Sequence, residues 1–153
     1  MAINKEFLEK MVSILSNFHD KIIMESGGEK GIRDNGGFYN SLYKIFTYFE
    51  KNDVEPASVA ALVYKEFARR HYFNDGNKRT SHAFAKLMLF FMDLHLKVEY
   101  KDAVPFIIEI ASYDSKITTK QIEEWVKSNL TELPHKNLEK YLNEIVFEIN
   151  YGK

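Results

Sequence analysis

The sequence predicts an all-α fold, a compact single-domain helical bundle, on three observations. Apolar residues recur at intervals of three and four along most of the chain, the spacing that lines one face of a 3.6-residue helix. Five of the seven glycines fall between Gly27 and Gly37, which confines the strongest helix breakers to one place. The stretch Ala83–Phe91 is apolar on most faces, as a helix at the centre of a bundle must be.

The elements follow in order. Phe7, Leu8, Met11, Leu15, Phe18, Ile22 and Ile23 predict a first amphipathic helix of about 18 residues. The run GGEKGIRDNGG after it is too rich in glycine for helix and reads as a structured excursion or short hairpin. A second helix is expected from about Phe38 to Lys51, broken by Asn52-Asp53. Pro56 sits well in the first turn of a third helix running to about Arg70. The loop YFNDG then precedes a fourth, buried helix from Asn77 to about Leu94. A short fifth helix starts near Asp102, and Thr118 with Gln121 forms a capping-box pattern opening a sixth through Trp125. Past Pro134, the stripe Leu138, Tyr141, Leu142, Ile145, Val146, Ile149 predicts a last amphipathic helix.

Composition narrows the function. A length of 153 residues suits one domain. With no cysteine, disulfides, thiolate metal sites and a cysteine nucleophile are excluded, and a reducing cytoplasm fits. The formal charge of −1 favours neither nucleic acid nor an acidic membrane as partner. The N-terminus has Glu6 and Glu9 where a signal peptide would have an apolar run, and no apolar stretch is long enough to span a bilayer. The expectation is a soluble cytoplasmic protein.

The chemistry concentrates in His71–Arg79, HYFNDGNKR. The third helix ends at His71 and the fourth begins at Asn77, so an imidazole and a helix N-terminus face one loop. Free N–H groups and the positive dipole end of a helix form an anion site, and Gly76 lets a ligand approach the backbone. Lys78 and Arg79 lie in the first helical turn, where a cation is disfavoured by about 0.3–1 kcal/mol. A phosphate there would reverse that, with Lys as a point charge and Arg as a fork. Asp75 supplies a hard oxygen for a magnesium ion bridging phosphates. His71 offers an imidazole, the side chain best suited to taking a proton from a hydroxyl near neutral pH.

Taken singly, each feature has a plainer reading. A His at a helix C-terminus is more often a cap, Asp-Gly a turn, and Arg69, Arg70, Lys78 and Arg79 a solvated patch or an RNA or protein contact. Phe73 reads as a core anchor. His19, His82, His95 and His135 have no constellation around them in the sequence and read as structural or surface residues.

The joint spacing resembles the motif of the Fic/Doc family, approximately H-x-F-x-D-G-N-x-R. It is closest to the Doc (death-on-curing) branch, where the residue before the Arg is Lys, as in Asn77–Thr80. Phe18–Asp34 and Ala60–Thr80 resemble the same branch, and the resemblance runs from about Leu15 to Leu130. It implies a single domain over 1–153, with a core of about 15–130 around the central motif helix and a C-terminal helical extension of about 135–150. The Gly-rich segment 25–37 would be a flap that docks the target. The implied cofactors are ATP and Mg2+, with His71 as base, Asp75 as metal ligand, Gly76 and Asn77 shaping the anion hole, and Lys78 and Arg79 on phosphates.

In the Doc branch the γ-phosphoryl group is transferred to a hydroxyl of a translation factor, elongation factor Tu, and a separate antitoxin restrains the toxin. In the Fic branch the transferred group is usually AMP. Lys78 stands where Fic enzymes usually have Gly and would crowd an α-phosphate, which favours phosphoryl transfer. A non-catalytic helical binding module is the alternative of another class. No [ST]-x-x-x-E-[GN] self-inhibitory motif occurs: Glu124 follows Thr119/Glu123 and Leu133 follows Ser128/Glu132.

Overall fold

A computed structural model describes residues 3–51 and 53–151. It is all-α apart from one small sheet: α1 (Lys5–Ser26), α2 (Asn35–Phe49), α3 (Pro56–Arg69), α4 (Asn77–Phe90), β1 (Leu94–Leu96), α5 (Tyr100–Ala111), α6 (Thr119–Lys127), β2 (Leu130–Glu132) and α7 (Leu138–Tyr151). The expected central helix is central. Every residue of α4 from Thr80 to Phe90 is buried, and α3 packs along it more extensively than any other pair of elements. One apolar cluster draws side chains from all these helices.

Most boundaries fall where capping chemistry puts them. Asn4 caps α1, accepting from Phe7 N–H at 2.8 Å, and α1 extends beyond the apolar stripe at both ends because its terminal residues are polar. At α6 the capping box is complete, with Gln121 N–H to Thr118 Oγ1 at 3.1 Å and Thr118 N–H to Gln121 Oε1 at 2.8 Å. Pro56 occupies the first turn of α3. The break after α2 was expected at Asn52-Asp53; Asn52 lies outside the described residues, and Asp53 has a left-handed φ of 63°.

Three expectations are corrected. The second helix begins at Asn35, so Gly36 and Gly37 lie in its first turn. Asp34 caps it by accepting from Gly37 N–H at 2.8 Å, which offsets the cost of glycine in a helix. A Cβ at Gly37 would stand 2.8 Å from the Tyr72 ring, so the glycine admits the loop after α3. The fourth helix ends at Phe90, not Leu94. Asp93, at φ 63°, turns the chain into β1, which pairs antiparallel with β2 in the register Leu94↔Glu132, His95↔Thr131, Leu96↔Leu130. Strands of three residues carry too little alternation to be read from sequence. The Gly-rich segment forms no hairpin. It runs beside the loop before α4, pairing with it at the isolated β-bridge Ile32↔Phe73.

The last helix packs its stripe of Tyr141, Ile145, Val146 and Ile149 into the core against α1, α4 and α5. Among the described residues no helix is long and apolar enough to cross a membrane.

Candidate active site

The site forms where α3 stops and α4 starts. Arg70 leaves the helical region, and residues 71–76 loop back so that Gly76, at a left-handed φ of 74°, precedes α4. Asn77 clamps this loop: its Oδ1 accepts from Phe73 N–H and its Nδ2 donates to Phe73 O, both at 3.1 Å. Phe73 is fully buried, stacked on His19 at 3.9 Å between ring centroids. His19 is itself buried, and its Nε2 donates to the Asp75 carbonyl at 2.8 Å. The sequence offered a His-Asp pair at His19-Asp20, but nothing local showed that its partner lay 56 residues on.

A cleft of about 310 Å³ opens above the α4 N-terminus, lined by His71, Asp75, Asn77, Lys78, Arg79 and Tyr100 among others. The residues expected to act together therefore do share one cavity. Asp75 Oδ1 accepts from Gly76 N–H at 2.8 Å and Oδ2 from Glu29 N–H at 3.4 Å. The Gly76 bond holds the carboxyl below its ordinary range against the opposing effect of burial, with help from Glu29, Arg79 and His19. Asp75 is thus an ionised carboxylate at neutral pH, half exposed to the cleft. Lys78 is exposed and makes no ion pair among the described residues.

Arg79 is engaged more than expected. One terminal nitrogen donates to Gly27 O at 2.7 Å and to Ser26 Oγ, and the other lies 3.6 Å from Asp75 Oδ1. It therefore ties the base of the Gly-rich segment to the cleft as well as lining it. The segment is stitched down further: Asn74 N–H to Gly31 O at 3.1 Å, and Arg33 and Asp34 N–H to Tyr72 O at 2.7 and 3.0 Å. Gly28, at φ 125°, lies so close that a Cβ would stand 2.7 Å from Asp75 Oδ2.

His71 is exposed and lines a second cleft as well, of about 340 Å³, whose walls include Asn40, Lys44, Glu66 and Arg70. Glu66 is buried. Burial would raise its pKa, but Lys44 at 2.5 Å and Arg70 at 3.1 Å outweigh that and lower it. His71 is the one residue common to the two clefts, which places an imidazole between them.

Sequence reading also missed a buried network under the site. His82, treated as isolated, is fully buried. Tyr64 donates its O–H to His82 Nδ1 at 2.7 Å, and His82 Nε2 donates to Glu148 Oε2 at 2.6 Å. Lys86 Nζ and Tyr100 N–H also reach Glu148, at 2.5 and 2.7 Å. Burial lowers the His82 pKa and raises that of Tyr64, so both are neutral and the donor directions above follow. Burial would raise the Glu148 pKa, but His82 and Lys86 lower it.

Gly76→Ala is expected to destabilise the protein by about 1–3 kcal/mol, since a left-handed φ strains any residue with a Cβ. That Cβ would also fall 2.5 Å from Ile23 Cδ1. A lower denaturant midpoint at unchanged m-value checks it; an unchanged midpoint would contradict the left-handed loop.

As for metal, no group of three or more His, Cys, Asp or Glu side chains clusters among the described residues. Asp75 alone does not make a protein cage, but one ionised carboxylate in an anion cleft fits magnesium, which is commonly held by one or two carboxylates plus substrate phosphates and water.

Compared with known families, the chain matches the model described as the Fic/DOC family over residues 10–89. The match takes in the cleft loop and most of α4, and ends short of the Leu130 limit expected from resemblance. No curated protein matches the sequence.

Proposed function

The chain belongs to the Fic/DOC family, a family of transferases that use nucleoside triphosphates, and from that premise we propose that it is a Doc-branch toxin. It transfers the γ-phosphoryl group of ATP to a Ser or Thr hydroxyl of a translation factor, elongation factor Tu or one like it. It acts in the cytoplasm as one Fic/Doc-like domain with α7 as an extension. The observation that supports phosphoryl over adenylyl transfer is Lys78, an exposed cation in the wall of the cleft beside the α4 N-terminus.

In this reading the α4 N–H groups, Lys78 and Arg79 hold the phosphate chain, and Asp75 holds magnesium. Magnesium, when bound, neutralises charge on the phosphate oxygens. The acceptor hydroxyl approaches from the second cleft and gives its proton to His71 as its oxygen bonds to the γ-phosphorus. The bond to the β,γ-bridging oxygen breaks, and ADP leaves. Positioning and charge stabilisation carry nearly all the catalysis in such a reaction. Arg79 already ties Gly27 and lies beside Asp75, so a phosphate drawn to its guanidinium couples nucleotide binding to the Gly-rich flap. The lack of a self-inhibitory motif supports restraint by a separate antitoxin.

The test is to incubate the protein with cell lysate and ATP labelled at the α- or γ-phosphate. A band labelled only from γ is expected; a band labelled from α overturns phosphoryl transfer in favour of AMP transfer. Lys78→Gly is expected to lose the γ-labelled band.

A further inference from the structure

Tyr100 is set apart among the residues around the nucleotide cleft. The others belong to the loop and first turn at 71–79, whereas Tyr100 opens α5 and lies outside the segment matched by the family model. Its placement is fixed from two sides. The backbone N–H donates to Glu148 Oε2 at 2.7 Å, and the ring lies against His82 with centroids 5.5 Å apart. Yet its phenol makes no hydrogen bond among the described residues. Burial raises the phenol pKa, opposed by the charge of Arg79, so the group is a protonated donor near a guanidinium. An O–H not committed to a protein acceptor, held in a cleft lined also by Lys78 and Arg79, is placed to donate to an anion there.

We propose that Tyr100 is a nucleotide-binding residue whose phenol donates a hydrogen bond to a phosphate oxygen of the bound triphosphate. This rests on the transferase reading above and adds a ligand-contacting residue from outside the motif. Glu148 is then a positioning residue, since it holds the Tyr100 backbone. The cleft is thereby completed by α5 and, through Glu148, by α7.

Tyr100→Phe removes only the hydroxyl, so thermal stability should change little while binding changes. By calorimetry with the full chain, Mg-ATP and inorganic tripolyphosphate are each expected to bind about tenfold or more weakly to the variant, the scale of one hydrogen bond to a charged group. Equal affinity of wild type and variant for both probes overturns the proposal. So does a loss confined to ATP, which would place the phenol on the nucleoside instead. Absence of triphosphate binding by the wild-type protein would instead overturn the transferase reading itself.

Discussion

Replacing His71 with Ala is expected to slow group transfer by about 10²–10⁴-fold, the usual cost of removing a general base, while fold and ATP affinity stay close to wild type. The structure separates these effects. His71 is exposed and its side chain makes no hydrogen bond or ion pair among the described residues, so little packing is lost; surface changes of this kind usually stay within about 0.5 kcal/mol. In the proposed function phosphate affinity comes from the α4 N-terminus, Lys78 and Arg79, and not from the imidazole. Single-turnover transfer measured beside calorimetric ATP binding reads both halves. A variant that transfers at the wild-type rate would reduce His71 to a surface residue and remove the base from the mechanism. A variant that loses ATP binding in step with transfer would make it a ligand contact.

Glu148→Gln should be the most destabilising of the changes considered, by about 3–5 kcal/mol. It leaves Lys86, 3% exposed, as a buried cation without a counter-charge. For a chain of this size that corresponds to a fall in Tm of roughly 6–20 °C, a large share of a typical stability of about 5–15 kcal/mol. Adding Lys86→Met to Glu148→Gln should recover most of the loss, because the buried cation is gone while the amide oxygen still accepts from His82 and Tyr100. Since the native Glu148 pKa is depressed, its contribution is complete above the ordinary carboxylate range and disappears as pH falls through the native value. A Glu148→Gln midpoint that keeps its distance from wild type down through that range would show that the charge is not the source of the effect.

Much of this was legible in the sequence. Helix positions followed from apolar spacing and caps, because a repeating signal survives local irregularity; α3 and α6 fell within a residue or two of expectation. The cleft loop was legible because its parts are neighbours in the chain. What sequence left hidden depends on distant partners. Gly37 looks like a breaker until Tyr72 is seen against it, His82 looks isolated until α7 returns with Glu148, and His19 gains its role only from the Asp75 carbonyl. Arg79 was assigned to phosphate on its charge, its place in the first turn of α4 and the resemblance, and its contact with Gly27 needed the fold. Single polar residues have no period, so only three-dimensional proximity reveals them.

The dependence of Lys86 on Glu148 also sets a schedule on the ribosome. The two are 62 residues apart, which at about 5–20 residues per second is roughly 3–12 s of synthesis. During that interval the nascent chain has made the loop and α4 but not the carboxylate that neutralises the core lysine and anchors Tyr100. Native packing around α4 therefore waits for α7 to emerge. In the function proposed above, the cleft that Glu148 holds through Tyr100 would be complete only once α7 has emerged.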